Sequence, residues 1–187
     1  MLKEEHQTTL NSISWISFFI GLFFYIYESI LKIVPTTLAP DLMVSFQNNH
    51  LHKIFILTNS YLIVFTLLQI PAGLLLDRFG TRQLLTIAAL LTCLGLMLFA
   101  GTPHINFAII SQWITGIGGS FALIGALFLV AHWLPYNRRA FYSNFILAVS
   151  LSGVVLQPTF SNLVNDYGWR SMVLLLGVIG GAFSLII

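Results

Sequence analysis

Of 187 residues, 57% are hydrophobic and 7% charged, with a mean hydropathy of +0.90. A soluble domain carries about 25% charged residues, so the composition is that of a membrane protein. A net charge of +2 on scattered carriers excludes a nucleic-acid surface, and the single cysteine, Cys93, excludes an intramolecular disulfide.

The N-terminus holds Lys3 with Glu4 and Glu5, and the following apolar run has no small-residue cleavage site, which predicts a retained first span rather than a removed signal peptide. Crossing the hydrocarbon core takes about twenty apolar residues. Six segments meet or approach that length: Ile13 to Leu38, Ile54 to Leu76, Leu84 to Ala100, Phe107 to Leu134, Phe141 to Val164, and Arg170 to the end. The fold class is therefore all-α, a polytopic bundle of six transmembrane helices. Its expected organisation is one unit over 1–187, with a cytoplasmic tail at 1–12 and three-helix repeats at 13–100 and 107–187.

Orientation follows from Lys and Arg near the span ends. Lys3, Arg78, Arg82, Arg138 and Arg139 lie on one side, and Lys53 and Arg170 on the other. Lys32 falls inside the first span and is not counted. The N-terminus is thus expected in the cytoplasm. Leu38 to Lys53 becomes the longest external loop, with His50 and His52 in an H-x-H arrangement. Two histidines without nearby Cys, Asp or Glu form an incomplete metal site, so no metal is expected and solvated loop histidines remain the alternative.

Spans two and five end alike. Gln69-Ile70-Pro71 precedes Asp77-Arg78-Phe79-Gly80-Thr81-Arg82, and Gln157-Pro158 precedes Asp166-Tyr167-Gly168-Trp169-Arg170. With three spans between them, the second copy must be inserted upside down, as in the inverted repeats of secondary transporters.

The stretch Gly73-Leu74-Leu75-Leu76-Asp77-Arg78-Phe79-Gly80-Thr81-Arg82 resembles the signature between helices two and three of the major facilitator superfamily. Gln69-Ile70-Pro71-Ala72-Gly73, Gly116-Ile117-Gly118-Gly119-Ser120 and Asp166-Tyr167-Gly168-Trp169-Arg170 agree with it. Tyr25 to Pro35 is similar to the first helix of a bacterial branch, where a Glu is followed four residues later by a basic residue and then by proline. The resemblance covers only the N-terminal half of that family's twelve-helix architecture. It departs at Gln112, where the family usually has arginine. Span five also carries only Gly153 with Ser150 and Ser152 before Pro158, in place of the dense glycines of proton antiporters.

Glu28 and Lys32 are the Lys, Arg, Asp or Glu residues well inside a span, and i,i+4 spacing puts them on one helix face. For a helix entering near Ser14, a rise of ~1.5 Å per residue carries Glu28 about 21 Å into a core of ~30 Å. A charge at that depth costs on the order of 3 kcal/mol even on the lenient insertion scale and should face protein or a wet cavity. Either Lys32 attracts an anionic substrate group while Glu28 binds a proton, or the two neutralise each other and hold span one in place. Tyr25, Tyr61, Gln69, Gln112, Trp113, Asn144 and Gln157 are further pathway candidates, each able instead to make an interhelical hydrogen bond.

Gly116, Gly118, Gly119 and Ser120 form small patches that let another helix approach. Pro71 and Pro158 are expected to kink their helices. In the signature, Asp77 is expected to accept from neighbouring helix ends, with Arg78 and Arg82 at the anionic surface and Gly73 and Gly80 shaping the turn. The resemblance makes this a conformational latch; a topological anchor is the alternative.

What the resemblance implies is alternating-access transport of a small polar, anionic solute, coupled to protons, in a bacterial inner membrane. No covalent chemistry, cofactor or nucleic acid is implied, so the chain is not expected to be an enzyme. Its expected partners are the lipid bilayer, the solute, and a missing C-terminal six-helix half or a second copy. Since Ser184-Leu185-Ile186-Ile187 ends the sixth span without a cytoplasmic tail, a fragment, a truncated gene product or a dimerising half all remain open. The alternative class is a non-transporting membrane scaffold or assembly partner.

Overall fold

A computed structural model describes the backbone of residues 2–46, 51–134 and 136–187, and the side chains of 15–46, 52–134 and 136–187. The described chain is helical throughout. Five of its helices are long and apolar enough to cross a membrane, or six with one bent pair counted as a span.

Prolines divide the first span. Helix α1 (Leu2–Leu31) stops where Pro35 offers no N–H to the Leu31 carbonyl, and α2 (Val34–Thr37) and α3 (Ala39–Ser45) follow, each with proline in its first turn. The segment read as a long external loop is therefore mostly helical. Proline at a helix start supports the helix that polar composition argued against. Gln47, Asn48, Asn49 and His50 lie outside the described residues, and with them the H-x-H pair.

The second span consists of α4 (Leu51–Leu67) and α5 (Gln69–Phe79), bent by 48°. Pro71 has no N–H for Leu67, the last residue of α4, so the bend sits one turn before the proline. Helices α6 (Thr81–Gly101) and α7 (Ile105–Trp133) run unbroken. The fifth span divides into α8 (Arg139–Val149) and α9 (Ser152–Tyr167), and α10 (Trp169–Ile186) completes the bundle.

Helix α9 runs on through Pro158, the proline expected to kink the fifth span. The interruption lies at Ser150 and Leu151, where backbone N–H groups reach back three residues to Leu147 and Ala148, and the Ser150 hydroxyl also donates to the Leu147 carbonyl at 2.7 Å. Close by, a side chain on Gly153 would collide with the Ser29 backbone carbonyl of α1. A close helix crossing, rather than the proline, accompanies this break.

The two ends flagged as a repeat share one backbone conformation. Gly80 has φ 82° and ψ 158°, and Gly168 has φ 79° and ψ 146°. They are the positive-φ glycines among the described residues, each the single residue between two helices. Only glycine enters that region without strain.

Helix α7 is the centre: 61% of its apolar stretch is buried, against 11% for the fifth span. It packs on α6 through small residues. Gly95 faces Thr115 and Ser111, Gly118 faces Thr92 and Ala88, and Gly125 faces Leu85. On the far side of α6, Gly177 and Gly180 of α10 lie against Cys93, Leu96 and Met97, and Tyr27 of α1.

Candidate functional site: a buried carboxylate among four helices

Glu28 is fully buried on α1. One carboxylate oxygen accepts from the Tyr61 hydroxyl of α4 at 3.0 Å, the other from the Thr92 hydroxyl of α6 at 2.8 Å. Helix α7 closes the fourth side with Gly119, where a methyl group would overlap the Tyr61 hydroxyl and stand 2.8 Å from the nearer Glu28 oxygen. Four helices therefore meet at one carboxyl group, and its hydrogen bonds offset much of the burial cost of a polar group.

Lys32 does not close on that carboxylate. No hydrogen bond joins the two side chains. The Lys32 ammonium lies 4.8 Å from the centre of the Tyr25 ring and 4.6 Å from that of Phe65. The Lys32 backbone N–H still donates to the Glu28 carbonyl at 3.2 Å, so the two residues share a helical turn, but their side chains part: two hydroxyls hold the carboxylate and the ammonium enters an aromatic cradle. A cation held this way gains ~0.5–2 kcal/mol and keeps its donors free for another partner. Phe65 also stacks on Tyr61, at 5.9 Å and 16°, so cradle and carboxylate share a wall.

Of the predicted pathway residues, Tyr25, Glu28, Lys32 and Tyr61 come together. Gln112 is buried on α7, two turns from Gly119, and its Nε2 has no hydrogen-bond partner among the described residues. Trp113 is 48% exposed and points about 100° away from Gln112 around the helix. Gln69 is half-buried just beyond the α4–α5 break, and Gln157 is half-buried and Asn144 exposed on the fifth span. None of these five joins the Glu28 cluster.

Gly116 packs on the backbone of Tyr61, and Ser120 is buried with its hydroxyl on the Ile117 carbonyl at 2.7 Å. Gly119 has a second consequence beyond packing, since its missing side chain leaves room for the Tyr61–Glu28 bond.

In the turn, Asp77, Arg78 and Arg82 are all exposed. Asp77 accepts no hydrogen bond among the described residues, and Arg78 lies over the Phe79 ring at 5.4 Å. Gly73 places α5 against Ile124 of α7. The opposite turn is tied down: Arg170 donates to the carbonyls of Ala100 at 2.7 Å and Thr102 at 3.4 Å, and the Trp169 indole donates to Ser45 at 2.9 Å. The Arg170 guanidinium thereby satisfies carbonyls that the end of α6 leaves open.

Sequence reasoning missed Thr92. A threonine in an apolar run signals nothing by itself, and its 64-residue separation from Glu28 hides the contact. A cavity of about 370 Å³ opens beside Thr81, Arg82 and Trp133, apart from the Glu28 cluster. Among the described residues no three His, Cys, Asp or Glu side chains gather as metal ligands.

Residues 13–187 match the family model described as Major Facilitator Superfamily. The chain is 26% identical over 173 residues to the efflux pump hmp6 of Hypomyces subiculosus, covering 90% of this chain and 31% of that protein. It is 30% identical over 161 residues to the uncharacterized transporter YybO of Bacillus subtilis (strain 168), covering 82% of this chain and 35% of that one. Among solved structures, the proton:xylose symporter XylE bound to 6-bromo-6-deoxy-D-glucose superposes with a TM-score of 0.76 at 19% identity, over 96% of this chain and 44% of that one. The chain thus spans about a third of these two relatives, and the XylE likeness carries the fold.

Proposed function

This chain belongs to the Major Facilitator Superfamily, a family of transporters and not of enzymes, and from that premise we propose that it forms half of a secondary transporter carrying a small polar, anionic solute by alternating access with proton coupling. One observation carries the anionic specificity: the Lys32 ammonium, deep in the first span, is cradled by Tyr25 and Phe65 while Glu28 is satisfied by hydroxyls. Intramembrane charges are expensive and mark substrate and ion pathways. Lys32 receives the solute anion and Glu28 takes the proton. Gln112, whose buried Nε2 has no hydrogen-bond partner among the described residues, is the polar group best suited to contact solute further along α7.

Rocking around a central site needs two bundles, so a second six-helix half or a second copy completes the machine. The matching turns at Gly80 and Gly168 support repeats over 13–100 and 107–187, and the excess of Lys and Arg supports a cytoplasmic N-terminus. The resemblance of the first span supports a bacterial inner membrane. The exposed Asp77, Arg78 and Arg82, with Gly73 and Gly80 behind them, form a latch awaiting that second half.

The test is uptake into proteoliposomes holding the full-length protein, with small carboxylates, sulfonates and phosphates against neutral sugars. Anion uptake driven by an imposed pH gradient supports the proposal; uptake of neutral sugars alone would remove Lys32 from recognition. The second reading, a membrane scaffold, is favoured by the 11% burial of the fifth span, which leaves a face open to another protein. It predicts no uptake of any solute and co-purification with one partner.

A further inference from the structure

Of the two hydroxyls on Glu28, the one on Thr92 has a second place to send its hydrogen. Its oxygen lies 2.8 Å from the carboxylate and 3.0 Å from the Ala88 backbone carbonyl. A hydroxyl carries one hydrogen and two lone pairs, so it can give to one neighbour while taking from the other. With Glu28 ionised, the Thr92 hydrogen points at the carboxylate. With Glu28 protonated, the carboxyl O–H donates to Thr92, whose own hydrogen turns to Ala88. Tyr61 donates to the other oxygen in both cases, at 3.0 Å. One proton is added or removed, and every polar atom keeps a partner without any side chain changing rotamer.

We propose that Thr92 is the positioning residue for the proton step at Glu28, its hydroxyl reversing between donor and acceptor as the carboxyl group gains and loses a proton. This rests on Glu28 being the proton site. The titratable groups facing Glu28 are Lys32 and Tyr27 of α1 and Tyr61 of α4; α6 brings Thr92, with Cys93 toward Tyr27, and α7 brings Gly119. None of them can replace Thr92. Lys32 only donates, and Tyr61 has no second acceptor among the described residues.

The experiment is infrared difference spectroscopy of the full-length protein in lipid, recorded between acid and alkaline pH, with proton-driven uptake measured alongside. Glu28→Gln identifies the carboxyl band. Thr92→Ser is expected to keep that band at its wild-type wavenumber and to keep uptake. Thr92→Val is expected to move the protonated C=O band to higher wavenumber and to lower uptake about tenfold, the equivalent of ~1.4 kcal/mol. Thr92→Ala, which leaves space in place of a methyl group, is expected to move the band in the same direction. A Thr92→Val band at the wild-type wavenumber, still deleted by Glu28→Gln, overturns the inference and leaves Glu28 as the proton site. If Glu28→Gln deletes no band in any background, the proton reading of Glu28 fails and the inference fails with it.

Discussion

Gly119 and Tyr61 compete for one small volume, because a methyl group on Gly119 would overlap the phenol oxygen that donates to Glu28. Substituting Gly119→Ala should therefore displace that hydroxyl and cost ~1–3 kcal/mol through overpacking. Thermal unfolding of Gly119→Ala, Tyr61→Phe and the double variant checks this. The two costs should be less than additive, since both remove the same bond; full additivity would separate Gly119 from the carboxylate.

Glu28→Gln keeps the shape of the side chain but cannot exchange a proton. Proton-driven uptake should vanish while the unfolding temperature stays close to wild type, because an amide can still pair with Tyr61 and Thr92. Uptake with an unchanged pH profile would take Glu28 out of coupling.

Removing the charge at Lys32 with Lys32→Gln should raise the KM for an anionic solute about 10–100-fold, the range for losing a hydrogen bond to a charged group. Lys32→Arg should recover part of that loss. Transport kinetics in proteoliposomes give the answer, and an unaltered KM would leave the aromatic cradle a packing feature.

The two turn arginines should differ in their effect on stability. Arg170→Ala removes both hydrogen bonds to Ala100 and Thr102 and should destabilise the bundle by ~1–3 kcal/mol. Arg82→Ala, at an exposed position, should change stability by less than about 0.5 kcal/mol. Denaturation in detergent compares them directly.

Much of the architecture was legible because it is written locally. Six apolar runs, a charged turn closed by Gly80 and its echo at Gly168 each lie within a few residues of chain. The bend in the second span was legible too, since Pro71 acts on a carbonyl four residues away. The break at Ser150 and Leu151 was not legible, because no proline marks it and the close approach of Gly153 to Ser29 that accompanies it joins distant parts of the chain. Glu28 and Lys32 were found by hydropathy, and Tyr25 of the Lys32 cradle lies on the same helix, but the partners of Glu28 came from elsewhere. Tyr61 lies 33 residues from Glu28 and Thr92 lies 64, and no spacing rule reaches that far. The i,i+4 spacing did place Glu28 and Lys32 on one turn, but it could not show that the ammonium turns to the Tyr25 and Phe65 rings.

The one-residue turns at Gly80 and Gly168 leave no slack between the helices they join. α5 with α6, and α9 with α10, are coupled at their corners like the arms of a bracket. The regular hydrogen-bond ladder lapses instead inside the spans, at the Leu67 carbonyl that Pro71 leaves without an N–H and at Ser150 and Leu151. The stiff points of this fold therefore lie at the membrane surfaces and its compliant points within the bilayer, so a shape change bends the helices through their middles and leaves the corners intact.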